Sequence, residues 1–230
     1  MNKLVTQVID AGYADRLLTE RQLARILGGS DDSRYGLVKR ALRAGALVRI
    51  KRGRYVLANR YRTHPVHPFQ VAQAIVIGSY VSMETALAFH GWIPEAVFTV
   101  VSVTPERKSA EIDHPDFGRF SFHPLAHHKL AFLNGVERHT INNQTVLIAK
   151  PLRAVLDIVA HRKLEWEGIG WITNSMRIDL EQLMQVPKKE FSALRQVYKH
   201  KVVLDFLGAL EKEVTSLKTR TKELVKGSFQ

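Results

Sequence analysis

Apolar positions recur at a helical period through the first forty-odd residues and then switch to short β-rich runs. Leu4, Val5, Val8 and Ile9 share one stripe, which predicts an amphipathic helix over the first dozen residues closing near Gly12. Thr19 and Gln22 stand at capping-box spacing, so a second helix starts at Glu20, buries Leu23, Ile26 and Leu27, and ends at Gly28 and Gly29. Ser30, Asp31 and Asp32 can cap a third helix, where their charge suits the positive end of the helix dipole. On that helix Tyr35, Val38, Ala41 and Leu42 form the stripe expected to pack, while Gly36, Lys39, Arg40 and Arg43 fall opposite. Gly45 sits where the helix should stop. Runs 47–50 and 55–57 then read as two strands, with 51–54 as the tip and Gly53 supplying a positive φ. Three helices and a wing predict a winged helix-turn-helix.

Residues 58–68 lack periodicity and carry two Pro, and a linker is placed there. A helix is expected over 69–77. Ser82 is read as the cap of another, with Met83, Ala86 and Leu87 inward and Gly91, Trp92 and Pro94 as its stop. Run 97–103 is β-branched enough for a buried strand, and 117–123 alternates like a half-buried one. Strands 137–141 and 144–148 flank Asn142 and Asn143, a two-residue hairpin turn. Pro151 opens a helix whose Leu152, Val155, Leu156 and Val159 make one stripe, and beyond Gly170 the pattern is again helical. Strands first and helices after predict an α+β layer structure. The expected organisation is therefore a winged helix-turn-helix over 1–62, a larger mixed α+β domain with a helical C-terminal part over 63–217, and a frayed basic tail over 218–230.

Charge sharpens this division. Residues 1–62 hold 14 basic and 5 acidic side chains, so +9 of the net +12 lies in the first quarter of the 230-residue chain. From Ser33 to Met83 there is no Asp or Glu, which leaves the cations of the third helix and wing without acidic neighbours in sequence. A face built only for solubility mixes signs. Gly36 adds to the argument, because a helix-interior Gly costs about 0.5–1 kcal/mol relative to Ala yet lets backbone approach a partner closely. These observations point to a polyanion, with Arg34, Gly36, Lys39, Arg40, Arg43, Lys51, Arg52 and Arg54 as the candidate DNA-binding residues. A single small winged helix reads too few base pairs to select one genomic site, so two copies on an inverted repeat of double-stranded operator DNA are expected. The absence of Cys excludes disulfides and thiolate metal sites, no apolar stretch is long enough to span a bilayer, and the opening residues do not form a secretory core. A soluble cytoplasmic protein is the expectation.

With RGRYVL at 52–57, the helix before it, and SYVSMETALAFHGWIPE at 79–95, the sequence resembles the AbiEi family of antitoxins from bacterial type IV toxin-antitoxin and phage-abortive-infection systems. The Ser-x-x-x-Ala-Leu helix closed by His90 and Gly91 is the more telling part, and the likeness runs over nearly the whole chain. The resemblance implies an N-terminal winged helix that binds operator DNA and represses its own operon, with Lys39, Arg40, Arg43, Arg52 and Arg54 as contacts. It also implies a C-terminal domain that counters a nucleotidyltransferase-like toxin, and no catalytic residue.

Three rival readings compete with this one. Glu111, Asp113, His114, Asp116 and His123 lie close in sequence, and Pro115-Asp116 matches half of a nuclease signature. The Glu-x-Lys half does not follow, since Glu106-Arg107-Lys108 precedes it, so a polar surface loop is the expectation and the protein is read as a non-enzyme without cofactor. His123, His127 and His128 form the nearest His cluster, but no paired-His helical motif with a carboxylate accompanies them, and no metal is expected. The remaining alternative is a stand-alone winged-helix regulator whose second domain senses a ligand or a protein.

Overall fold

Thr19 opens the second helix as its spacing predicts: its hydroxyl accepts from the Gln22 N–H at 3.1 Å, and the Gln22 side chain accepts from the Thr19 N–H at 2.8 Å. Local signals of this kind organise the first unit of the computed structural model, which describes residues 2–227. Its elements run α1 (Lys3–Asp10), β1 (Leu18–Thr19), α2 (Glu20–Leu27), α3 (Asp31–Arg43), β2 (Leu47–Lys51) and β3 (Arg54–Leu57), then α4 (Pro68–Ile75). Three strands pair in the order β1-β3-β2, all antiparallel, with Gly53 at φ 75° turning β2 into β3. This is a winged helix-turn-helix. Its core is Leu4, Val5, Val8, Leu18, Leu23, Ala41, Leu47, Tyr55 and Leu57, with Leu37, Val38 and Leu42 half-buried against it. Strand β1 had no signal in the sequence, since two residues are too few for an alternation.

Helix α3 ends in a Schellman arrangement: Ala46 N–H reaches Ala41 O at 2.9 Å and Gly45 N–H reaches Leu42 O at 3.0 Å. Gly45 takes the left-handed conformation at φ 57° that this cap requires.

The chain divides into two units, residues 1–78 with 113–118 and 139–146, and residues 79–112 with 119–138 and 147–230. The boundary therefore lies at Gly78/Ser79 and not at 62/63. The expected linker 58–68 is instead fixed within the first unit. It holds a 3-10 turn (Asn59–Tyr61), and the Asp15 carboxylate accepts from Thr63 N–H at 2.7 Å, Thr63 Oγ1–H at 2.5 Å and His64 N–H at 3.2 Å. The Asn142 side-chain amide donates to Pro65 O at 3.0 Å and that of Gln70 to Ile141 O at 2.7 Å. Burial opposes the Asp15 charge, but the hydrogen bonds from Thr63 and His64 prevail and bring its pKa down to about 2.

In the remainder of the chain β4 (Tyr80–Val81) leads into α5 (Met83–Phe89), followed by β5 (Thr99–Thr104), β6 (Ala110–His114), β7 (Gly118–Pro124), β8 (Val136–Ile141) and β9 (Gln144–Ala149). These strands form a six-stranded mixed sheet in the order β6-β7-β5-β4-β9-β8, in which β5 runs parallel to β7 and antiparallel to β4. Asn142 and Asn143 make the β8–β9 turn at φ 48° and 58°, as their tolerance of positive φ predicts. Helix α6 (Pro151–Arg162), a π-turn (Trp171–Ser175), α7 (Leu180–Gln185), α8 (Lys188–Leu194) and α9 (Lys201–Gly227) complete an α+β fold. The expected frayed tail is a correction: 218–227 continue α9, with Lys218 Nζ donating to Val186 O at 2.8 Å, and 228–230 lie outside the described residues. The expected polar loop around Glu111 is also a strand, β6.

Ser82 precedes α5 but does not cap it. Its hydroxyl donates to Asp157 Oδ2 at 2.7 Å, inside a buried polar network that the stripe on α6 gave no hint of. Tyr80 OH also donates to Oδ2, at 3.0 Å, while Tyr198 OH donates to Oδ1 at 2.7 Å. Arg153 Nη1 donates to Asn134 O at 2.7 Å and Nη2 to Tyr80 OH at 2.6 Å.

Candidate nucleic-acid interface

Helix α3 turns Leu37, Val38, Ala41 and Leu42 toward the core of the first unit. That leaves Gly36, Lys39, Arg40 and Arg43 together on the opposite side, where Lys39, Arg40 and Arg43 are exposed. Arg52 is exposed at the wing tip, and Arg54 is half-buried in β3, opposite Thr19 of β1. Among the described residues no acidic side chain forms an ion pair with Lys39, Arg40, Arg43, Arg52 or Arg54. The helix and the wing tip thus present an excess of positive charge, with Asp32 at the start of the helix face and the Glu20 carboxylate beside Gly53 as the nearby acids, and a net excess is what a phosphate-binding surface requires.

Two of the candidate cations are engaged elsewhere. Arg34 is held by Asp31, one turn back on α3, and by the carbonyls of Gly28 and Gly29, which anchor the turn between α2 and α3. Lys51 is half-buried at the end of β2 and its ammonium donates to Ile75 O at the end of α4. Lys51 meets a carbonyl brought up by folding, while Arg34 pairs with an acid three residues before it on the same helix. The two side chains serve to hold the turn and the wing.

Gly36 has a role different from the one its position suggests. A Cβ built on it would lie 3.3 Å from Arg40 Nη1, so the missing side chain makes room for the Arg40 guanidinium to lie along the helix. Tyr35, expected in the core, is 69% exposed, with the Lys39 ammonium 5.9 Å from its ring centroid. At about 100° per residue Tyr35 sits about 90° from the mean direction of Leu37, Val38, Ala41 and Leu42. Including Leu37 in the stripe would have shown this from sequence alone.

The other candidate clusters disperse into structural roles. His114 Nε2–H donates to Arg49 O at 3.0 Å, and its Nδ1 accepts from the Asp116 N–H at 3.1 Å, which fixes the β6–β7 turn within the first unit. His123 packs against His161 with ring centroids 4.2 Å apart, and burial followed by the His161 ring lowers its pKa. His127 is buried beside Asp157, with Nε2 3.5 Å from Oδ1. Among the described residues no group of three or more His, Cys, Asp or Glu is arranged to hold a metal ion. No helix among them is long and apolar enough to cross a membrane.

Comparison with known proteins bears on the fold alone. No protein-family model matches the chain, and no curated protein does either. Among solved structures, that of the RV2827C protein from Mycobacterium tuberculosis is similar with a TM-score of 0.53 at 14% identity, over 92% of this chain and 77% of that one. The likeness spans both units and supports the α+β architecture.

Proposed function

We propose that the chain is a sequence-specific DNA-binding regulator that inserts α3 into the major groove and sets its wing against the adjacent backbone. The observation that carries this reading is the exposed face of Lys39, Arg40 and Arg43 on the third helix of a winged helix-turn-helix, three cations against the single carboxylate of Asp32 at the N-terminal end of the same face. The sequence resemblance to AbiEi antitoxins extends the proposal: the regulator represses its own operon, and its second unit counters a nucleotidyltransferase-like toxin. It acts by binding and needs no cofactor. Binding of duplex DNA by wild type and by the Lys39/Arg40/Arg43 triple Ala variant, compared at one salt concentration, is the test, and equal affinity rejects the assignment. For the antitoxin role, a full-length Arg40/Arg43 double Ala variant should lose repression while still protecting cells from the co-expressed toxin. Loss of protection at unchanged protein level would tie toxin control to the DNA-binding face and overturn the two-part reading.

A second reading has one observation in its favour. The second unit carries an open cleft of about 540 Å³, lined by Ile93, Val97, Phe98 and Met176 together with the Glu84–Arg162 ion pair, of a size to admit a small ligand of a sensing regulator. A screen for compounds that shift the melting temperature of wild type but not of a Val97→Trp variant separates this reading from the first.

A further inference from the structure

A large aromatic side chain that a helix leaves in water needs a reason, because burying it would have stabilised the fold. Tyr35 is such a residue. The packed side of α3 is made by Leu37, Val38, Ala41 and Leu42 without it. Its ring lies at the border of the basic face, in the N-terminal half of the helix, and it lines an open cleft of about 430 Å³ between α2 and α3, beside Val38 and Tyr55 and with Glu20 and Asp31 also on its wall. In helix-turn-helix proteins this half of the third helix meets base edges, while phosphates are met by cations around it. Lys39, one turn on, holds its ammonium near the ring and restricts where the ring can go.

Within the DNA-binding reading above, on which this rests, we infer that Tyr35 is a base-reading residue that packs its ring against the 5-methyl group of a thymine in the major groove. The thymine methyl is the one apolar feature a base pair offers there, and it is read by apolar or aromatic side chains. The neighbouring groups fit this division of work. Arg43 and Lys39 are long and charged and suit phosphates or guanine. Gly36, next to Tyr35 in the chain, leaves room for the Arg40 guanidinium to lie along the helix.

The test uses the full-length protein and a duplex selected by it from a randomised 20-bp pool at fixed salt. Each thymine of the selected site is then replaced by deoxyuridine, which removes only the 5-methyl group. At one position the replacement should weaken wild-type binding about fivefold to tenfold, while leaving Tyr35→Ala binding unchanged. Tyr35→Phe should retain the wild-type preference, because the hydroxyl is not required. Unchanged melting temperature in both variants shows that the fold is intact, as the exposure of Tyr35 predicts. A deoxyuridine penalty of the same size at every position in wild type and Tyr35→Ala overturns the inference while leaving DNA binding in place. So does a Tyr35→Phe protein that loses the preference as fully as Tyr35→Ala. Failure of wild type to enrich any sequence overturns the DNA-binding reading itself, and this inference with it.

Discussion

Arg153 and Asp157 lie one turn apart on α6 with no exposure to solvent, and the Arg153 Nε–H donates to Asp157 Oδ1 at 3.0 Å. Burial alone would keep the Asp157 carboxyl protonated. The Arg153 guanidinium, with His127 and Tyr198, reverses that and holds it well below the usual carboxylate range. The chain also closes tightly over the pair: a Cβ on Gly135 would lie 2.9 Å from Leu194 Cδ2 and 3.2 Å from Arg153 Cβ. Removing one partner leaves the other charged and buried, so Asp157→Ala should destabilise the protein by about 3–5 kcal/mol. Replacing both by apolar residues of similar volume, Arg153→Met with Asp157→Leu, should cost less than Asp157→Ala alone. Urea unfolding of the three variants measures this, and a double variant less stable than the single one contradicts it.

Asp15 gives the first unit a dependence on acid. Its folded pKa of about 2 lies below the ordinary 3.8, so it contributes stability that is complete above about pH 4 and is lost as pH falls through about 2. The gap in melting temperature between wild type and Asp15→Ala should therefore be widest near pH 5 and should shrink as the pH approaches 2. Asp157 titrates in the same direction in both proteins and cancels in the difference. A gap that stays constant across this window would show that the hydrogen bonds to Thr63 and His64 do not set the charge state.

Lys51 and Arg52 are adjacent in sequence but should behave oppositely. Arg52→Ala, at the exposed tip, should leave stability within about 0.5 kcal/mol of wild type and reduce the salt dependence of DNA binding by about one ion. Lys51→Ala strands the Ile75 carbonyl and should cost about 1–3 kcal/mol of stability. Thermal melts and salt titrations on the same two variants read both effects.

Gly36→Ala should separate stability from binding. Ala is favoured over Gly in a helix interior by about 0.5–1 kcal/mol, so the variant should melt higher. The new methyl meets the Arg40 guanidinium and displaces it, so DNA affinity should fall. A variant that is both more stable and equally tight in binding would show that the position of Arg40 does not matter.

What could be read from the sequence was what neighbouring residues decide between themselves. The Thr19–Gln22 box, the Gly45 stop, the Gly53 wing tip and the Asn142-Asn143 turn all depend on local backbone chemistry, and the structure has each in place. The basic face of α3 was legible for the same reason, as a helical period applied to charge. The fate of Lys51 was not, because a backbone carbonyl accepts its bond and every residue has one, whereas the Asp31–Arg34 pair stands at a spacing the sequence displays. Arg153 and Asp157 stand at the spacing of an ordinary surface ion pair, and nothing local distinguishes a buried pair from an exposed one. Thr63 and His64 looked like linker because the carboxylate that fixes them belongs to Asp15, far back in the chain.

The first unit draws on chain as late as residue 146, through the segments 113–118 and 139–146. At synthesis rates of about 5–20 residues per second, residue 146 is added roughly 3–14 s after residue 78. A nascent chain therefore gains the last segments of this unit only after residues 79–112 and 119–138 of the second unit have been made. A splice at residue 78 keeps the hydrophobic core of the winged helix but drops two hairpin ends encoded downstream, whose His114, Asn142 and Gln144 bond Arg49, Pro65 and Asp15.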